Sequence, residues 1–143
     1  MKIRQLSIFL ENREGRLEEV LQILGDNKVS IVALSLADTS DYGVLRMIVS
    51  APEVAQKVLK EHDISAKLVE VIALRVPHEA GSLSRAMCKL ADANINVEYM
   101  YAFANGDDAS AILKTREPEK AAQILISGGF DVWQEEAAYK ANE

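Results

Sequence analysis

Shifted by 66 positions, the 143-residue sequence falls onto itself without a gap. Gly15 meets Gly81, Leu17 meets Leu83, Leu24 meets Leu90, Asp41 meets Asp107, Pro52 meets Pro118, Glu53 meets Glu119, Ala55 meets Ala121 and Leu59 meets Leu125. Most other pairs differ, so the weight lies in pattern and punctuation rather than identity. In each copy an apolar stretch (3–10, then 68–76) runs into a polar loop that ends in glycine. Helical spacing follows: Leu17, Val20, Leu21 and Leu24 recur at i, i+3, i+4 and i+7, and Leu83, Ala86, Met87 and Leu90 repeat them. A β-rich run comes next (29–36; 95–103), then a turn rich in Asp, Ser, Asn and Gly, then a second short strand (44–49; 109–114).

Pro52 and Pro118 open a further helix at its first turn, where the missing N–H is not needed. Val54, Ala55, Val58 and Leu59 supply the apolar stripe of one, and Ala121, Ala122, Ile124 and Leu125 that of the other. Extended segments at 64–69 and 130–134 close the units. The order is β-α-β-β-α-β, twice, an α+β ferredoxin-like arrangement, with one unit at 1–68 and a second at 69–143. The runs 29–36 and 95–103 fall at sheet edges in such a unit, and uncovered apolar edges invite pairing. The economical layout pairs these edges with each other in a shared eight-stranded antiparallel sheet with four helices on one face. A homodimer is compatible with the same pattern. One tension stays open: residues 64–76 read as one extended stretch that must end one unit and begin the next, by a bend near Glu70 or by exchange of a strand.

With 49% hydrophobic and 27% charged residues the chain is expected to fold compactly. The longest apolar runs are strand-sized, and residues 1–7 alternate charge with apolar character rather than forming a secretory core, which points to the cytoplasm and away from membranes. Sixteen basic against 22 acidic residues, scattered singly, argue against nucleic acid as a partner. Cys88 stands alone, so neither an internal disulfide nor a cysteine-cluster metal site is expected. No nucleophile beside a base, no paired carboxylates in apolar context and no phosphate loop stand out, so neither catalysis nor a cofactor is expected.

The chemistry gathers in the two strand-to-helix loops, Asn12-Arg13-Glu14-Gly15-Arg16-Leu17 and His78-Glu79-Ala80-Gly81-Ser82-Leu83. A glycine at a helix start lets a ligand reach backbone N–H groups that have no partner inside the helix, and the helix dipole favours a carboxylate there. Acceptors for an ammonium group stand nearby in Asn12, Glu14 and Glu79. A glycine that merely tightens the turn explains the same residues without a ligand. Of the two histidines, His62 follows a helix end and reads as a solvated terminal residue, whereas His78 occupies the loop.

The first loop resembles the Asn-x-Pro-Gly-x-Leu loop of ACT domains, small amino-acid-sensing modules attached to many biosynthetic enzymes. Unit length, element order and the segments Val29-Ser30-Ile31 and Ile95-Asn96-Val97 extend the resemblance over nearly the whole chain. It implies a non-catalytic regulatory protein that binds a free amino acid at the interface between two ACT-like units. One site would use Asn12, Glu14, Gly15, Arg16 and Leu17 with Asn96 and Val97, the other His78, Glu79, Gly81, Ser82 and Leu83 with Ser30 and Ile31. The proline of the motif is replaced by Glu14 and Ala80, and its asparagine by His78 in the second copy, so the two sites are expected to be unequal. The site with both asparagines, Asn12 and Asn96, is expected to bind more tightly. With no output domain in view, the signal would pass to a separate biosynthetic enzyme or transporter. The other readings are an interaction module without a ligand and a small enzyme with an interface active site.

Overall fold

The alternation at the start of the chain makes strand β1 (Lys2–Glu11), whose Leu6, Ile8 and Leu10 are buried while Phe9 stands exposed. The computed structural model describes residues 2–38, 41–105 and 108–139. The tips of the two expected turns, including Asp107 of the Asp41/Asp107 pair, lie outside the described residues. The elements after β1 are α1 (Arg16–Asp26), β2 (Ile31–Asp38), β3 (Tyr42–Val49), α2 (Pro52–Glu61), β4 (Ala66–Pro77), α3 (Ser82–Asp92), β5 (Tyr99–Asn105), β6 (Asp108–Lys114), α4 (Pro118–Ser127), β7 (Asp131–Val132) and α5 (Glu135–Tyr139). The chain divides into two compact units, Arg4–Val69 and Glu70–Glu143 together with Met1–Ile3.

In the first unit β3 pairs antiparallel with both β1 and β2. Leu6, Ile8 and Leu10 of β1 and Leu45, Met47 and Val49 of β3 present one face to α1 (Val20, Ile23, Leu24) and α2 (Ala55, Val58, Leu59). In the second unit β6 pairs antiparallel with β4 and β5, and the short β7 adds to β4. There Ile72, Leu74 and Val76, with Ala111 and Leu113, form the core with Ala86 and Leu90 of α3 and Ala121, Ala122 and Leu125 of α4. The two hairpins share one register at the 66-residue offset: Leu36 faces Leu45 as Ala102 faces Ala111, and Asp38 faces Gly43 as Ala104 faces Ala109. The left-handed residues repeat as well, Gly15 with Gly81 and Lys28 with Asn94.

Several expectations are corrected. The described residues hold seven strands and five helices, not eight and four. One unbroken strand, β4, does the work assigned to two, and α5 is an addition. Neither a bend nor a break interrupts β4 at Glu70. Its residues Val71 to Leu74 are all buried, so both faces are covered there, and that is why the stretch reads as continuously apolar. Within their own units β2 pairs with β3 and β5 with β6. Strand β5 starts only at Tyr99, because Ile95 turns back to donate its N–H to the Leu90 carbonyl and close α3. The last segment shrinks to Asp131–Val132, continued by one bond from the Trp133 N–H to the Ala73 carbonyl. Val54 is 48% exposed, and Pro52 takes its place among the buried residues of α2.

Leu59→Ala, which empties a fully buried position, should cost about 2–5 kcal/mol in a urea unfolding curve. Val54→Ala should change stability by no more than about 0.5 kcal/mol. Equal costs would contradict the placement of this helix.

Candidate functional site

Both loops are built alike. After β1, the Arg13 N–H donates to the Glu11 carbonyl (2.8 Å) and the Arg16 N–H to the Arg13 carbonyl (3.5 Å). After β4, the Glu79 N–H donates to the Pro77 carbonyl (2.8 Å) and the Ser82 N–H to the Glu79 carbonyl (3.2 Å). Gly15 (φ 83°) and Gly81 (φ 87°) then occupy the left-handed region at the caps of α1 and α3, where an L side chain is strained. No side chain caps either helix, and the first N–H of each is taken by a carbonyl of its own loop.

The side chains differ. Asn12 and Glu14 are exposed in the first loop. Arg16 Nη1 holds Glu19 Oε2 at 2.7 Å, while its Nε is buried with no hydrogen-bond partner among the described residues. Leu17 packs on the first core. In the second loop His78 and Glu79 are exposed, and Ser82 is 1% exposed with its Oγ accepting from Arg85 Nη2 at 3.2 Å. His78, Glu79, Ser82 and Leu83 line a cavity of about 170 Å³, closed on the other side by Val76, Pro77, Ala102, Ala109, Ser110 and Ala111. The structure thus brings these four expected residues together, with Gly81 between them.

The strand-side candidates lie elsewhere within their units. Ser30 precedes β2 and exchanges two 2.9 Å bonds with Ser50, one to its carbonyl from the Ser50 N–H and one from its own N–H to Ser50 Oγ. Ile31 opens β2 opposite Val49. Asn96 precedes β5 and lines a broad depression with Glu98 and Arg116, and Val97 packs on the second core. His62 closes α2, its Nδ1 2.9 Å from the Val58 carbonyl oxygen.

Sequence reasoning missed the alanine wall. Ala102, Ala109 and Ala111 carry no functional group, and only their contrast with Leu36, Gly43 and Leu45 at the 66-residue offset could have drawn attention to them. It also missed a cluster on β4: Arg75 stacks over the Trp133 ring at 3.9 Å, stands 3.5 Å from Asp131, and Trp133 Nε1 donates to the buried Ser110 Oγ at 2.8 Å. Among the described residues no group of three or more His, Cys, Asp or Glu is placed to hold a metal ion.

Two ferredoxin-like units in tandem, each with a left-handed glycine at its first helix, define the class. The profile of the family described as "ACT domain pair" matches residues 1–141, and the chain belongs to that family. A protein of known structure from Bacteroides thetaiotaomicron is similar over 98% of this chain and 97% of its own, with 34% identity and a TM-score of 0.94. The ligand-free regulatory subunit of aspartate kinase from Thermus thermophilus shares the fold at 12% identity and a TM-score of 0.64, covering 89% of this chain and 93% of its own. The Thermus flavus regulatory subunit does so at 13% and 0.60, covering 88% and 92%. No curated protein matches.

Gly15→Val should cost about 1–2 kcal/mol in unfolding free energy from backbone strain alone, since a Cβ there would meet nothing within 4 Å. Gly15→Asn, which tolerates the left-handed region, should cost less than half as much. Equal losses would show that the backbone conformation is not the constraint.

Proposed function

We propose that the chain is a non-catalytic regulatory protein that binds a free amino acid at its strand-to-helix loops and passes occupancy to a separate enzyme or transporter in the cytoplasm. The observation that carries this reading is the pair of uncapped helix starts behind left-handed glycines, one of them opening into a cavity of amino-acid size. The N-terminal turn suits a carboxylate, and Glu14 and Glu79 offer acceptors for an ammonium group. Asn12, Gly15, Arg16 and Leu17 serve the first loop, and His78, Gly81, Ser82 and Leu83 the second. Ser30, Ile31, Asn96 and Val97 are the strand-side contributors.

The fold is shared with proteins named as regulatory subunits of aspartate kinase, which supports a biosynthetic enzyme as the partner class. The mechanism is differential affinity: a ligand that prefers one conformation shifts the population toward it, and the partner reads that population. Neither nucleic acid, membrane nor cofactor enters this reading.

Thermal unfolding with the twenty common L-amino acids tests it. One amino acid or a small related group should raise the midpoint, with about 2.7 kcal/mol of stabilisation at a ligand concentration 100 times Kd. Unchanged midpoints with all twenty would overturn the proposal.

A further inference from the structure

The two loops share a backbone but not a wall. Beside the second loop, the helix-side face of hairpin β5–β6 is made of Ala102, Ala109 and Ala111, and a cavity of about 170 Å³ lies between it and His78, Glu79 and Ser82. At the same register positions of the first unit stand Leu36, Gly43 and Leu45. Leu36 Cδ1 lies 3.1 Å from the place a Cβ on Gly43 would take, so the leucine side chain covers the glycine. The exchange of two leucines for alanines removes six carbon atoms from this face and that of Gly43 for Ala109 returns one, and the cavity of the second unit is the room left.

Resting on the reading above, we propose that the second loop is the amino-acid site, that the alanine wall receives a small branched aliphatic side chain, and that Leu36 fills the corresponding room in the first unit. A cavity of this volume is well below the roughly 300–1,000 Å³ of clefts that take drug-sized ligands, which suits a single amino acid. Its floor is apolar, formed by Val76, Leu83 and the alanines, and a charged side chain placed there would lose its hydration without a partner. Ser110, the polar residue within the alanine wall, has its hydroxyl engaged by Trp133, and the other polar side chains, His78, Glu79 and Ser82, stand on the loop side. The Ser82 hydroxyl accepts from Arg85 and keeps its own proton to donate to a carboxylate. Glu79, exposed at the rim, meets the ammonium group. The order of affinities suggested by Asn12 and Asn96 is thereby reversed, because side-chain room decides before the loop polar groups can act.

Calorimetric titration of the full chain with L-valine, L-isoleucine, L-leucine, L-aspartate and L-lysine tests this. One equivalent of a branched aliphatic amino acid should bind at least tenfold more tightly than aspartate or lysine. Ala102→Leu, at an exposed position, should weaken that binding tenfold or more with an unchanged unfolding midpoint, and Ala109→Val should do the same at a second point of the wall. Leu36→Ala should leave the affinity of this equivalent unchanged. Binding that survives both wall substitutions but is lost in Gly15→Val, or a preference for a charged amino acid, overturns the placement and leaves the amino-acid reading standing. Failure of all twenty amino acids to bind the unsubstituted chain overturns both.

Discussion

Strand β4 is bound by a geometric condition that few strands meet. Its even-numbered residues feed two hydrophobic clusters in turn, Ala66 and Leu68 the first and Ile72, Leu74 and Val76 the second, while Val71 and Ala73 are buried on its other face. Side chains alternate strictly along a strand, so one added or lost residue would turn every later side chain to the opposite face. The junction therefore has no freedom of length. Where most neighbouring domains are joined by exposed, variable segments, the boundary here, between half-buried Val69 and exposed Glu70, falls inside one unbroken strand.

Much of this was written in the sequence, and the reason is local. Helical spacing at Leu17–Leu24, proline at Pro52 and Pro118, and glycine at Gly15 and Gly81 each act within a few residues of themselves, and each does what the pattern implies. The losses are non-local. Ile95 looks like strand but completes a helix end, and no neighbour in sequence reveals that. Residues 130–134 have strand composition, yet only Asp131–Val132 pair with β4. Leu34, Leu36 and Met100 are exposed although their runs read as apolar strand.

The candidate site divides in the same way. Loop residues announce themselves through glycine and polar side chains, and they were all nameable. The wall is made of alanines, which signal nothing by type. Their meaning comes from what the sister copy holds at the same register, so it emerges only when the hairpin pairing is known. Arg75 and Ser110 were equally silent, because residues 75, 110 and 133 meet only through the sheet.

The identical registers of the two hairpins have an evolutionary consequence. Backbone pairing, left-handed glycines and helix starts are held in common, while side-chain volume on one face of a hairpin differs. Changes at positions such as Leu36 and Ala102, both exposed at the edge of their sheets, leave the ladder of backbone bonds untouched. In a repeated unit of this kind the lining of that face can change through single replacements that selection on folding scarcely sees.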